Sequence, residues 1–421
     1  MSVSQKSPLH IIILLIVAGE AIFVLPFVIA RVFKPTFLAA FGLSNYELGI
    51  CMSIYGIVAL FSYLFGGRLA DKYLSHELMS TALLLTALGG FVMAVFPGYT
   101  VMKYVYGFFG FTTIFLFWSA MIKATRVWGG TNKQGRAFGL LDGGRGLVSV
   151  SFALLGVFVF SFFLNRALPA DINDLTLVER KSAFRNVILV TSLFVAAVGL
   201  LVLFFMRQKN EKETLSDSKA FSISSFVNVL KLSPVWWLMI IILCAYTGYK
   251  ITDYYSLYAK EVMMYNEIQS AKIGTALLLG RAIVGFSIGF LADKTKPVLI
   301  MKIGFIMIAF GSAIIASGIL GPNLAVFFFV SISVTSLGVY VVRSLYFAVL
   351  EQANVPLALT GTAVGVISFI GYTPDIFVGP LMGSLLDNNP GELGHQYVFA
   401  LCAVFALCGF FATTFFKRSS L

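Results

Sequence analysis

Stretches of about 20 apolar residues follow one another along this 421-residue chain, and they constrain its fold more than any other feature. A helix needs about 20 such residues to cross the hydrocarbon core of a bilayer. Hydrophobic residues make up 59% of the chain and charged residues only 12%, which leaves no length for a soluble domain. We predict twelve transmembrane helices, at roughly 9–33, 45–66, 79–97, 100–122, 137–163, 184–206, 234–258, 269–291, 298–320, 322–349, 358–386 and 395–416.

A repeated motif divides the chain into two related halves. The segment Gly67-Arg68-Leu69-Ala70-Asp71-Lys72 returns 222 residues later as Gly289-Phe290-Leu291-Ala292-Asp293-Lys294. Each copy closes one apolar stretch and leads into a short basic loop. Parallel repeats embedded in a membrane are typical of transporters. We therefore expect a six-helix half over 1–206, a cytoplasmic linker over 207–225 and a second six-helix half over 226–421.

The net charge of +11 follows from membrane orientation, so it does not indicate a nucleic-acid partner. Most lysines and arginines of the loops fall on one side of the bilayer if both termini are cytoplasmic, as the positive-inside rule requires. The first apolar stretch contains Glu20 and has no cleavage pattern, which favours a retained helix over a signal peptide. We expect a monomeric, multi-pass protein of the inner (cytoplasmic) membrane with both termini in the cytoplasm.

The sequence offers no constellation for catalysis or metal binding. All four cysteines fall inside predicted spans without ligand spacing, and no histidine is mid-span. No nucleotide-binding loop is present, and the loops are too short for an ATPase. We predict that the protein is not an enzyme and that it uses no cofactor and no metal.

The repeated motif resembles the signature of the major facilitator superfamily, Gly-x-Leu-Ala/Gly-Asp-Arg/Lys, in the loop after the second helix. The resemblance implies an all-α membrane protein with twelve transmembrane helices in two pseudo-repeated halves. A carboxylate at a helix end can interact with the positive N-terminus of a neighbouring helix and hold one conformational state. The candidate residues of this conformational latch are Gly67, Asp71, Lys72, Gly289, Asp293 and Lys294.

Charged residues inside predicted spans are the main functional candidates. An ionised side chain at the bilayer centre costs at least about 2.5–3.5 kcal/mol, so it normally faces a cavity or a partner. The i, i+3 spacing pairs Asp142 with Arg145 and Lys250 with Asp253, which would give these residues a structural role. Arginines without a local partner can donate two hydrogen bonds to a carboxylate or phosphate. These arginines are Arg31, Arg281 and Arg343.

Two further segments are similar to the organophosphate:phosphate antiporters of that superfamily. They are Asp253-Tyr254-Tyr255-Ser256-Leu257-Tyr258-Ala259-Lys260-Glu261-Val262 and Gly361-Thr362-Ala363-Val364-Gly365 with Phe369-Ile370-Gly371-Tyr372. The resemblance implies that Arg31 and Arg145 bind the substrate, whereas Gly248 stands where a second phosphate-binding arginine belongs. A carboxylate substrate, as in the related anion:cation symporters, fits equally. The candidate substrate residues are Arg31, Arg145, Lys250, Asp253, Tyr254, Arg281, Arg343 and Tyr372.

We therefore expect a secondary active transporter that moves a small organic anion, such as a sugar phosphate, an organophosphate or a sugar acid, by alternating access. A counter-transported anion or protons would drive it. Burial can raise a carboxyl pKa toward neutrality, so Glu20, Asp142, Asp253 and Asp375 are the candidates for proton coupling. The alternatives are a proton-coupled transporter of a neutral or cationic metabolite or drug, and a receptor of the same fold that does not transport.

Overall fold

The computed structural model describes residues 8–129, 134–166, 177–206, 230–292, 296–346 and 367–419. This part of the chain is helical and contains no β-strand. Some predicted features lie outside the described residues: the linker 207–225, Asp293, Lys294, the 361–365 segment and the side chain of Asp71.

The α-helices alternate with short connections. Their bounds are α1 (Leu9–Phe23), α2 (Ile29–Val32), α3 (Lys34–Phe41), α4 (Asn45–Lys72), α5 (Ser75–Met93), α6 (Tyr99–Gly110), α7 (Ser119–Gly129), α8 (Gln134–Arg166), α9 (Leu177–Phe205), α10 (Ser233–Ile251), α11 (Tyr255–Glu261), α12 (Glu267–Ala292), α13 (Pro297–Ala316), α14 (Ala325–Leu345), α15 (Pro374–Asn388) and α16 (Glu392–Ser419).

Within the described residues, 10 helical segments are long and apolar enough to cross a membrane. They coincide with the predicted spans one to seven, nine, ten and twelve. Helix α12 occupies the position of the eighth predicted span, and α15 is the described part of the eleventh. The prediction of an all-α membrane fold is confirmed, while the total of twelve spans stays a prediction.

Three spans change their helical form part of the way along, and each change has a local setting. A π-helical turn over Val24–Val28 surrounds Pro26, which has no backbone N–H to donate. A second π-helical stretch, Phe111–Trp118, contains Thr113, whose hydroxyl donates to the Phe109 carbonyl at 2.7 Å. A 3₁₀ turn over Thr252–Tyr254 separates α10 from α11. Such breaks are tolerated at membrane depth where protein buries them.

Helix packing divides the chain into two compact units. Unit 1 comprises Met1–Ala30, Ala39–Gly42 and Ile54–Ser218. Within it, α5 packs against α9 and α1 packs against α8.

Unit 2 comprises Arg31–Leu38, Leu43–Ser53 and Lys219–Leu421. Within it, α13 packs against α14 and α16, and α10 packs against α16. The start of α4 approaches α15 closely, because a Cβ atom on Gly49 would lie 2.3 Å from the carbonyl oxygen of Gly379. Only glycine permits this backbone contact. Unit 2 therefore includes the end of the first span and the start of the second.

Many large apolar side chains point outward from the helices. Phe158, Phe327 and Phe411 are 66%, 61% and 56% exposed. Exposed apolar surface of this extent is expected where lipid is the solvent. Many serine and threonine side chains within the spans donate to carbonyls of their own helices, as Ser192 does to Ile188 at 2.7 Å, and these hydroxyls are satisfied without water.

Candidate functional site

A buried ion pair joins the end of the first span to the break in the seventh. Nε of Arg31 contacts Oδ1 of Asp253, and both side chains are almost fully buried. Asp253 lies on the 3₁₀ turn between α10 and α11. The Ser256 hydroxyl donates to the carbonyl oxygen of Arg31 at 2.8 Å and fixes this backbone. The prediction that Arg31 lacks a local partner is therefore incomplete, because its partner comes from a distant part of the chain.

Tyr249 lies between two arginines. Nη1 of Arg31 donates to the Tyr249 hydroxyl at 3.0 Å. The guanidinium carbon of Arg343 stands 3.8 Å from the centroid of the same ring, in a cation–π contact. Nη1 of Arg343 is buried and has no hydrogen-bond partner within the described part of the chain. An unused guanidinium N–H inside a protein is a donor available to an anion.

A second ion pair involves α10, close to the same turn. Nζ of Lys250 stands 2.6 Å from Oδ1 of Asp375 at the start of α15. The Tyr246 hydroxyl also donates to Asp375, at 3.1 Å from each carboxylate oxygen. A cation and a hydroxyl thus satisfy the Asp375 carboxylate from two sides. The predicted i, i+3 pairing of Lys250 with Asp253 is wrong, because the two residues take different partners.

Lys34 is a buried cation that the sequence analysis did not identify. Its side chain is 2% exposed, and its Nζ lies 3.5 Å from the centroid of the Tyr254 ring. Burial lowers the pKa of Lys34 to about 8, although the nearby Asp253 carboxylate opposes this shift. Lys34 and Tyr254 line a small cavity whose other walls are Met52, Lys250, Asp253, Asp375, Val378 and Gly379.

Aromatic side chains surround these charges. The Tyr372 hydroxyl lies 3.2 Å from that of Tyr346, and the Tyr372 ring meets the Tyr246 ring edge-on at 4.9 Å. Arg281, on α12, lies within electrostatic range of Tyr249 and Tyr340. Unit 2 thus brings together seven predicted substrate residues, which are Arg31, Lys250, Asp253, Tyr254, Arg281, Arg343 and Tyr372.

Unit 1 contains a smaller charged site. Nε of Arg145 stands 3.3 Å from Oε2 of Glu20. The guanidinium carbon lies 5.4 Å from the Phe23 ring and 5.8 Å from the Trp118 ring. The predicted pairing of Arg145 with Asp142 is wrong: Asp142 is exposed and Arg145 pairs with Glu20. Two of the predicted candidates, Arg145 and Glu20, therefore neutralise each other.

The first copy of the repeated motif ends α4, where carbonyl groups lack helical partners. Nζ of Lys123 donates to the carbonyl oxygen of Ala70 at 2.6 Å, which supplies one of these partners. Lys72 is exposed at the last position of the helix, a favourable place for a cation. The latch role assigned to Asp71 and Asp293 stays a prediction.

Sequence reasoning did not include Lys34, and it did not distinguish Tyr249 from the other aromatic residues of its span. Lys34 stands just beyond the first apolar stretch, where cations are common, so its position does not indicate burial. Its i, i+3 spacing from Arg31 places the two side chains on one face of a helix, and this spacing could have drawn attention to it. Tyr249 is one of many aromatics, which make up 15% of the chain, so nothing in the sequence marks it as the ring between two arginines.

Comparison with known families gives a match over most of the chain. A model described as "Major Facilitator Superfamily" matches residues 11–374. The inner membrane protein YqcE of Escherichia coli K12 is 29% identical over 366 residues, which are 86% of this chain and 83% of that protein.

Solved structures share the same fold over nearly the whole chain. A bacterial homologue of the human lysosomal transporter Spinster, in an inward-facing and unoccupied conformation, has a TM-score of 0.75 at 16% identity and covers 99% of both chains. The nucleoside transporter NupG has a TM-score of 0.72 at 13% identity, and the match covers 97% of this chain and 98% of that one.

Proposed function

Because this chain belongs to the Major Facilitator Superfamily, we propose that it is a secondary active transporter of a small organic anion that carries a carboxylate or a phosphate group. The chain is a multi-pass membrane protein with the fold of these transporters. We further propose that it works in the inner (cytoplasmic) membrane with both termini in the cytoplasm, as the distribution of its basic loops favours.

The buried Nη1 of Arg343 carries the proposal for the substrate class. This donor has no partner among the described residues, and its guanidinium group is held in place by the Tyr249 ring. An unsatisfied charged donor costs free energy until a ligand accepts its hydrogen bond. A carboxylate or phosphate oxygen is the acceptor that matches a guanidinium fork.

The charge balance of unit 2 supports the same conclusion. The two ion pairs closest to Tyr249, Arg31 with Asp253 and Lys250 with Asp375, are internally neutral. Arg343 adds a positive charge beside them, and Arg281 lies within range of the same tyrosines. A surplus of positive charge in a low-dielectric site attracts an anion and disfavours a cation.

Uptake into proteoliposomes tests this proposal with matched pairs of solutes. Glycerol 3-phosphate is compared with glycerol, and gluconate with glucose, so that each pair differs mainly in the anionic group. We expect saturable uptake of at least one of the two anions and none of its neutral partner. Uptake of the neutral solutes alone would contradict the proposal and favour the alternative of a neutral metabolite.

Anion exchange and proton symport are distinguished in the same vesicles. Loading the lumen with the transported anion tests exchange, and imposing a proton gradient without luminal anion tests symport. Binding without any uptake would favour a receptor of the same fold.

A further inference from the structure

Lys34 differs from the other charged residues that line the cavity of unit 2. Lys250 is paired with Asp375, and Asp253 is paired with Arg31. Within the described residues Lys34 has neither an ion pair nor a hydrogen bond, and its Nζ lies over the face of the Tyr254 ring. It is also 2% exposed. A cation–π contact compensates only part of the cost of burying an ammonium group.

Three of the four carboxylates predicted for proton coupling have cation partners. Asp253 is paired with Arg31, Asp375 with Lys250, and Glu20 with Arg145. Lys34 has no carboxylate partner among the described residues, and burial favours its neutral amine.

We propose that Lys34 is the proton-exchanging residue of this transporter, and that it takes up one proton from the aqueous phase when the substrate anion binds and returns it when the anion leaves. This inference rests on the proposed function. The exchange takes place at and above about pH 8, where the empty site holds Lys34 largely as the amine. Protonation on anion binding then converts the amine to an ammonium group, and release of the anion allows the ammonium to lose the same proton.

The coupling follows from electrostatics. A negative charge entering the cavity stabilises the ammonium form of Lys34, and by linkage the ammonium form binds the anion more tightly than the amine does. The groups that set the balance lie on each neighbouring element. They are Arg31, Lys250, Asp253, Tyr254, Glu261, Asp375 and Asp387.

The first test needs no substrate. Burial lowers the pKa of Lys34 from 10.5 to about 8, so its destabilising effect is complete below pH 8 and declines as the pH rises from about 8 toward 10.5. Lys34→Met should therefore melt above wild type in detergent at pH 6.5, and this difference should shrink by pH 9.5. Lys272→Met, at an exposed site on α12, is the control, and its difference from wild type should not change with pH.

The second test uses gluconate as the probe, because its carboxylate stays ionised throughout this pH range. In wild-type proteoliposomes we expect the KM for gluconate to rise by about tenfold per pH unit above pH 8, since one proton must then be bound with the anion. Lys34→Arg keeps the charge permanently, so its KM should be flat over the same range. Lys34→Met should have a raised KM that is also flat.

The outcomes separate the inference from the function. A melting difference that is constant with pH overturns the titration of Lys34. A KM that depends on pH equally in wild type and in Lys34→Arg overturns the coupling and leaves anion transport standing. If neither gluconate nor glycerol 3-phosphate is transported, the proposed function fails and the coupling role of Lys34 fails with it. This holds even if the melting difference between wild type and Lys34→Met changes with pH as expected.

Discussion

The buried charges of unit 1 and unit 2 are arranged differently. In unit 1, Arg145 and Glu20 form one ion pair at 3.3 Å beside the aromatic rings of Phe23 and Trp118. In unit 2, two ion pairs share their surroundings with Arg343 and Lys34, which have no carboxylate partner among the described residues. The first arrangement is neutral, although Nε of Arg145 is buried without a hydrogen bond among the described residues, while the second has a surplus of positive charge.

A charge buried in a membrane protein therefore does not by itself mark a substrate site. In a neutralised pair, the partner already offsets much of the cost of burial. A cation left without a partner has an unfavourable environment that a ligand can improve. We therefore propose that anion binding takes place mainly in unit 2, and each of the following predictions tests one part of this proposal.

The largest effect on transport is expected from Arg343. Arg343→Ala removes the donor proposed for the anion, and truncating one partner of a buried charge pair typically costs about 2–5 kcal/mol. We expect kcat/KM for the transported anion to fall by about 100-fold. The control is Arg185→Ala, which also removes a guanidinium, one bonded to the backbone carbonyl of Ala94. Near-normal transport by a correctly inserted Arg343→Ala protein would refute the assignment.

The Arg31–Asp253 pair should dominate stability. Arg31→Ala or Asp253→Ala leaves the partner as an uncompensated buried charge, which typically costs about 3–5 kcal/mol. The double variant removes both charges and should be less destabilised than the sum of the single variants. Melting temperatures in detergent for the four proteins of this cycle provide the measurement. Additive losses would show that the two side chains are not coupled.

Arg145 should have a smaller effect on substrate recognition than Arg343. Glu20 already neutralises it, so we expect Arg145→Gln to raise the KM for the anion by less than about tenfold. Glu20→Gln is the informative companion, because it frees the guanidinium and should lower the KM if an anion can reach it. A loss as large as that of Arg343→Ala would show that Arg145 leaves Glu20 to bind substrate, as the antiporter resemblance implies.

The smallest effect on affinity is expected at the first copy of the repeated motif. If Asp71 holds one conformational state, Asp71→Asn should slow turnover while the equilibrium affinity for the anion stays within about threefold. Lys72→Gln, the neighbouring exposed position, serves as the control. Unchanged turnover, or a defect limited to affinity, would reject the latch.

The sequence predicted the class of fold well, because hydrophobic length and the repeated motif are local signals that the bilayer enforces. It also identified most of the charged residues that the structure gathers in unit 2, since an ionisable residue within a span is rare enough to be informative. It failed for their partners. The i, i+3 rule considers one helix alone, whereas Asp253 and Lys250 each contact an opposite charge from a distant part of the chain, Arg31 and Asp375.

The order of apolar residues was enough to predict an all-α membrane protein, because a span is defined by the apolar length that the bilayer requires. The division into two related halves stays a prediction. Which charges are neutralised could be seen only in the folded chain. Arg31 and Asp253 are 222 residues apart, and Lys250 and Asp375 come from different spans. Contacts over such separations depend on how helices pack and where they break. The same packing buried Lys34, which stands beyond the apolar stretch in the sequence and is 2% exposed in the fold.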